Sequence, residues 1–404
     1  QWNPFFILLG NSFYNLPNFR FLWHIHSTAV MPRPVIRILH IDFALMCQKP
    51  SNCSLDSPDA PCYNASNIKR KRENEMSDIK LGIVGTNFVS DWLADATLSV
   101  DGITTAAVCS RTMEKAEEFA AKHGCTGVFC DYDKYLASDI DAVYIAVPNC
   151  HHFRYAKAAL EAGKHVLLEK PATLDSAHFD ILTALAKKKG VVILEAMRPG
   201  HDPAIREAKA AMGEIGKVHH AVFDFCQYSS RYDKFRAGEV LNAFKPELGN
   251  AAVMDIGCYA LHTCMYFFGE PKAIHARSIK LHNGFEGQGN VLFEYDNLVA
   301  GVVYSKITES FSPSVITGED GWIVLEKLSF VEKVSLFRRP DKVNPARVIC
   351  DHRPEDNMIY EIADFRDCVK GILSPDPFNA VSAMTMRAID EIRRQNDIPF
   401  PSED

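Results

Sequence analysis

Gly85 ends the apolar run IKLGIVG, and Thr86, Asn87, Phe88, Val89 and Ser90 follow it where a dinucleotide-binding turn would read G-x-G-x-x-G/A. Gly85 stands first in that pattern, while Asn87 and Ser90 take its second and third small positions. A glycine between an apolar strand and a helix start lets backbone N–H groups and the helix dipole hold a pyrophosphate. Asn87 is expected to substitute for glycine because asparagine tolerates a positive φ better than most residues. Ser90 is small enough for close helix–strand contact. About 20 residues further on, an NAD site places Asp or Glu on the ribose 2′-hydroxyl. Here the sequence is CSRT, Cys109 to Thr112, without a carboxylate. Ser110 and Arg111, with Lys115 nearby, could instead receive a 2′-phosphate. That favours NADP, with NAD as the alternative. Two more segments carry acid–base side chains: Lys170 in E-K-P, and Asp255 and Tyr259 in D-I-G-C-Y, one turn apart if that segment is helical.

The elements needed to position these groups are visible in the periodicity. IKLGIVG, ITTAAVCS, DAVYIAVP, HVLLEKP and VVILEAM are apolar strand-like runs. Between them FVSDWLADATLS, TMEKAEEFAAKHG, HHFRYAKAALEAG and SAHFDILTALAKKKG have helical spacing, Gly124 being an expected helix stop. Strands alternating with helices predict a doubly wound parallel sheet of Rossmann type over residues 76–198. Beyond it, strand-like runs such as KVHHAVFDFCQYS and LVAGVVYSKI have few helices between them, and two helical stretches end the chain. Residues 199–404 are therefore expected to form an α+β substrate-binding and dimerisation domain with a largely antiparallel open sheet. Its C-terminal helices could pack back on the first domain. A C₂ homodimer through that sheet is the commonest way to cover its outer face.

The chain has 404 residues, 47% hydrophobic and 24% charged, enough for two domains. A net charge of −7 gives no reason to expect nucleic acid or an anionic membrane as partner. No apolar run reaches the roughly 18 residues of a spanning helix. The twelve cysteines form no C-x-x-C pair and read as thiols of a reducing, cytoplasmic setting. Cys258, His262 and Cys264 lie close together, but small buried residues of a core helix explain them better than a metal site does. Residues 1–75 look unlike the rest: aromatic-rich without a clear period, then loop-like, then KRKRENE. Met76 is the expected natural start, with a targeting segment from Met31 as the competing idea. The N-x-S sites at Asn52 and Asn64, like the basic run Lys69 to Arg72, fall in this leader.

GTNFVSDW, SRTMEKAEEFA, AVPNCHHF, AGKHVLLEKPAT, EAMRPGHDP and MDIGCYALH resemble, in order and spacing, the glucose–fructose oxidoreductase / inositol dehydrogenase (Gfo/Idh/MocA) family. The tyrosine of the last segment resembles its branch containing dimeric dihydrodiol dehydrogenase and NADP-linked D-xylose dehydrogenase. The resemblance implies hydride transfer between NADP and a secondary alcohol or carbonyl of a sugar, polyol or trans-dihydrodiol. It also implies that Lys170 faces the substrate oxygen, whereas a surface pair with Glu169 is the bland alternative. Tyr259 is the expected proton carrier, its phenol drawn below the usual value near 10 by a nearby Lys170 ammonium. A half-buried structural tyrosine is the other reading. Asp255 would orient substrate hydroxyls or hold Lys170. His262 is a third candidate, or a core histidine. By resemblance Pro148, Asn149 and His152 lie beside the nicotinamide with Glu169 and Lys170, and Glu195 and Arg198 point toward the cleft. Tyr228, Arg231 and Tyr232 suit a polyol or sugar, or its rim. Two other functions share this scaffold: a non-catalytic NAD(P)-binding regulator, and glycoside hydrolysis assisted by tightly held NAD.

Overall fold

The computed structural model describes residues 78–351 and 357–401, so the expectations for the leader lie outside the described residues. The first sheet contains β1 (Ile79–Val84), β2 (Ile103–Cys109), β3 (Gly127–Phe129), β4 (Ala142–Ile145), β5 (His165–Glu169) and β6 (Ile193–Ala196). Their spatial order is β3-β2-β1-β4-β5-β6, and every pair is parallel. The chain reverses its direction of winding between β1 and β4, and the carboxyl ends of those strands bound the crevice where such sheets take ligands. Leu81, Ile83, Tyr144, Leu167 and Leu168 are fully buried. A strand covered on both faces needs such unbroken apolar runs.

Helices α1 (Phe88–Thr97), α2 (Met113–His123), α3 (His152–Glu161) and α4 (Ser176–Lys189) cross over between the strands. Polar side chains begin three of them: Asn87 caps α1, Thr112 caps α2 and Asp175 caps α4. α2 stops at Gly124 as expected, and the structure shows that glycine in the left-handed conformation.

The second sheet contains β7 (Val218–Cys226), β8 (Ala273–Lys280), β9 (Glu286–Glu294), β10 (Val299–Ser305), β11 (Ser314–Gly318), β12 (Gly321–Glu326), β13 (Lys333–Arg338) and β14 (Arg347–Asp351). Its order is β14-β13-β12-β11-β7-β10-β9-β8. Pairing is antiparallel except between β10 and β7. α5 (Cys258–Phe268) packs on this sheet, and a single π-helical turn, Val253–Gly257, runs directly into it. The two final helices, α6 (Met358–Val369) and α7 (Asp376–Gln395), reach across. Met358, Ile362 and Phe365 of α6 share a core with Ile83 and Tyr144, while α7 packs on α4, α5 and β8. No helix of the described residues is long and apolar enough to cross a membrane.

Candidate active site

The turn after β1 has the geometry of a phosphate cradle. Gly85 has φ +95°, and a Cβ there would lie 2.3 Å from the Ala146 carbonyl oxygen. Only glycine lets the turn approach the end of β4 this closely. Asn87 corrects the expectation placed on it: its φ is −96°, in extended backbone. It serves by its side chain instead. Oδ1 accepts from Val89 N at 2.8 Å and Ser90 N at 3.3 Å, and Nδ2 donates 2.8 Å to Ala146 O. One amide thus caps α1 and ties the turn to β4. Ser90 is fully buried beneath the helix start. Across the crevice, Thr86 Oγ1 and Ser110 Oγ are 3.2 Å apart, and Arg111, just after β2, and Lys115, in the first turn of α2, stand exposed. The glycine cradle, the ten-residue helix that starts beside it and the cationic rim fit a dinucleotide.

Lys170 projects from the end of β5, before a cis Lys170–Pro171 bond. Its Nζ donates 2.7 Å to Asp255 Oδ1 and 3.3 Å to the Asp255 carbonyl, and sits 5.2 Å from the centre of the Tyr259 ring. The π turn places Asp255, and the first turn of α5 places Tyr259; such turns often sit at functional sites. Lys170 is 16% exposed and Asp255 39%, so the pair is partly buried but still open to solvent. Lys170 is therefore bound to Asp255, not to Glu169 at the surface; Glu169 accepts from the Tyr144 hydroxyl at 2.5 Å. Burial pushes Asp255 up, but Lys170 and Lys306 together hold it well below the usual carboxylate range. Tyr259 goes the other way from expectation. Burial raises it to about 12, although Lys170 and Arg198 both pull it down. Its hydroxyl has no hydrogen-bond partner among the described residues, and the ring meets Phe225 edge-on at 5.5 Å.

Lys306 joins this group without having been among the candidates named from the sequence. Its Nζ lies 2.6 Å from Asp255 Oδ2, and its side chain is 6% exposed. The available signal was a lysine closing an apolar strand, LVAGVVYSKI, as Lys170 closes HVLLEKP.

Other expected residues fall in three places. Arg198 is close to Glu169 and Tyr259 and stacks on Trp92 at 5.6 Å, at the cleft. Arg231 reaches over Phe88 at 5.8 Å, and Phe88 meets Trp92 at 4.9 Å, so the two guanidiniums flank an exposed aromatic pair on α1. Tyr228 is turned to Asp233, 2.7 Å away, and Tyr232 stacks on Phe244 at 5.7 Å. Pro148 is exposed at the end of β4, while Asn149 Nδ2 bridges to Gly249 O at 3.1 Å and to Asn250.

Two histidines lie inside instead of lining the cleft. The buried His152 ring sits 2.9 Å from both the Pro171 and Val147 carbonyls, fixing the loops after β5 and β4 to each other. Buried His262 packs against Gly200, where a Cβ would come within 2.7 Å of its ring. Burial lowers His262 to about 3, leaving it uncharged. Glu195 is also interior, accepting from Ala172 N at 2.9 Å. Cys258 and Cys264 have separate partners, the Asp255 carbonyl and the Tyr295 hydroxyl, and no three metal-ligating side chains converge among the described residues.

A parallel sheet with a phosphate cradle, and an ammonium, a carboxylate and a phenol facing its crevice, define a dinucleotide-dependent oxidoreductase. Residues 79–197 match the oxidoreductase family GFO_IDH_MocA, with its NAD-binding Rossmann fold, and residues 205–324 match the GFO/IDH/MocA C-terminal domain. The chain belongs to this family. It is 37% identical over 328 residues to scyllo-inositol 2-dehydrogenase (NADP(+)) IolU of Bacillus subtilis, covering 80% of this chain and 99% of that one. It is 27% identical over 341 residues to trans-1,2-dihydrobenzene-1,2-diol dehydrogenase of Xenopus laevis, covering 80% of this chain and 99% of the other. KijD10, a 3-ketoreductase from Actinomadura kijaniata solved with NADP and TDP-benzene, shares the fold with a TM-score of 0.70 at 22% identity, over 81% of this chain and all of that one.

Proposed function

We propose that the chain is an NADP-linked dehydrogenase or reductase acting on a secondary alcohol or carbonyl of a polyol, sugar or trans-dihydrodiol. The observation that carries this reading is Lys170 at the end of β5, held by Asp255 and set over the Tyr259 ring beside the dinucleotide crevice. When bound, the nicotinamide accepts or supplies the hydride. The residues of this chain handle the oxygen. Tyr259 holds a proton at neutral pH and can give it to a carbonyl oxygen. Lys170 places its ammonium where negative charge grows on that oxygen. Asp255, open to the cleft, accepts from substrate hydroxyls, which suits polyols. The substrate names of the relatives support this class. The test is a panel of inositols, aldoses and trans-dihydrodiols with NADP⁺ and NAD⁺, followed by absorbance of the reduced cofactor. Dinucleotide binding without hydride transfer to or from any of them favours the regulatory alternative. Sugar release without net cofactor turnover favours the hydrolytic one.

For the cofactor, the absent carboxylate after β2 and the exposed Arg111 support NADP. Arg111→Ala is expected to weaken NADP⁺ by about 1.5–3 kcal/mol, the scale of a lost charged hydrogen bond, and to leave NAD⁺ nearly unchanged. Calorimetric titration with both cofactors measures this; equal losses remove the basis for the preference.

For assembly, the outer face of the second sheet supports a homodimer. The strand register aligns Leu292, Gly301, Val222, Val315 and Val324 in one row, and Trp322 stacks on Phe337 at 5.2 Å. An antiparallel sheet with a wet face normally alternates apolar with polar residues, and this row does not supply them. Light scattering at micromolar concentration is expected to give twice the chain mass; the monomer mass counts against it.

A further inference from the structure

We propose that Lys306 is a positioning residue of the reaction, fixing the Asp255 carboxylate from the side opposite Lys170 so that Asp255 holds Lys170 against Tyr259. The proposal rests on the roles given above to Lys170 and Tyr259. The two ammonium groups divide one carboxylate, Lys170 on Oδ1 at 2.7 Å and Lys306 on Oδ2 at 2.6 Å. Lys306 is itself locked. Its Nζ lies over the Phe244 and Phe285 rings at 5.3 and 5.7 Å and donates 3.4 Å to Ala243 O. Its backbone N–H donates to Gly287 O at 2.9 Å, and its carbonyl accepts from Ser229 N at 3.0 Å. An ammonium this enclosed needs a counter-charge, and Asp255 is the carboxylate in contact with it.

Two cations against one anion have consequences for the chemistry. Lys306 competes with Lys170 for Asp255, so Lys170 is held in place without its protons being monopolised. One positive charge also remains unneutralised within the Lys170–Asp255–Lys306 group, next to where a substrate oxygen would gain negative charge. The groups around the carboxylate come from several elements: Lys170 after β5, Lys306 after β10, and Cys258 and Tyr259 on α5, with Glu169 at the end of β5 and Arg198 facing Tyr259. Without Lys306, burial acts on Asp255 against one cation instead of two. The carboxylate then takes up a proton at higher pH, and turnover fails first at the acid end.

The experiment is the kcat–pH profile of Lys306→Met, Lys306→Gln and Lys306→Arg with the fastest substrate of the panel. NADPH affinity is measured alongside by fluorescence. For Lys306→Met, kcat at neutral pH should fall at least about tenfold, with KM within about threefold and the acid limb moved up by about one pH unit or more. Lys306→Arg should recover most of the rate, because it restores the charge. NADPH affinity should be unchanged in all three. If Lys306→Met does not fold, Lys306→Gln, which keeps a donor without the charge, should show the same raised acid limb. An unshifted limb, or a loss uniform in pH that arginine does not rescue, overturns the proposal. Near-wild-type turnover in Lys170→Met and Tyr259→Phe would instead sink the underlying reading. Slow turnover in those two with an unaffected Lys306→Met removes only the role of Lys306.

Discussion

Lys170→Met and Tyr259→Phe are each expected to cut turnover by about a hundredfold or more while leaving NADPH affinity within a few-fold, since positioned proton transfer alone contributes about 10²–10⁴. The double variant should be little slower than the slower single one, because groups acting on the same oxygen as a unit are not additive. Tyr259→Phe is the cleaner of the two. The residue is 9% exposed, and its ring packs edge-on against Phe225, a contact that phenylalanine keeps. The lost hydroxyl has no protein partner among the described residues, so its removal orphans no buried group. The pH dependence is directional. With burial holding Tyr259 near 12 against Lys170 and Arg198, the phenol is a proton donor throughout the neutral range. Carbonyl reduction in wild type should therefore be nearly flat from pH 6 to 9. Alcohol oxidation, which needs the deprotonated form, should keep rising with pH across that interval. Steady-state rates in both directions measure this. A Tyr259→Phe enzyme with near-wild-type turnover at every pH removes Tyr259 as the acid. Lys170 is then the remaining candidate, because His262, on α5, is 3% exposed and packed against Gly200.

How much of this was legible in the sequence depended on whether the signal was local. The parallel sheet could be read because its strands are buried on both faces and stand as unbroken apolar runs between helices of regular period. β3 was not read: three residues, GVF, are too short to carry a period, and their pairing with Ala107, Val108 and Cys109 sets them in the sheet. β11, β13 and β14 escaped in the same way, their strand character coming from neighbours in an antiparallel sheet. At the site, E-K-P and D-I-G-C-Y were visible as motifs, but the contact between them spans 85 positions and is made by the fold. Lys306 joined them from a third segment with no motif of its own. The electrostatic expectation for Tyr259 had the right neighbours and the wrong balance. Sequence can suggest that a lysine lies near a phenol; it cannot give the depth of burial that decides the net direction. Asn87 shows a similar limit. Its residue type suited a left-handed turn, but the cap it makes for α1 and its bond to Ala146 O serve the turn from extended backbone.

Gly85→Ala is expected to abolish tight dinucleotide binding, lowering NADPH affinity by at least about a hundredfold, equivalent to about 2.7 kcal/mol. Two effects add. At φ +95° an L-residue is strained, by about 1–2 kcal/mol if the left-handed helical region is the guide. The new Cβ also falls 2.3 Å from the Ala146 carbonyl oxygen, a backbone atom that cannot rotate away. Relief requires the ends of β1 and β4 to separate, and that displaces Asn87, whose Nδ2 is bonded to the same carbonyl. The N-terminus of α1 then loses both its aim and its cap. Asn87→Ala isolates the second contribution: it removes the cap and the tether but leaves the turn unstrained, so a loss near 1 kcal/mol is expected. Fluorescence titration of NADPH and thermal melting of the three proteins order the effects. Gly85→Ala should be worst in both measurements, Asn87→Ala intermediate. If Gly85→Ala binds NADPH as wild type does, the dinucleotide does not lie against this turn.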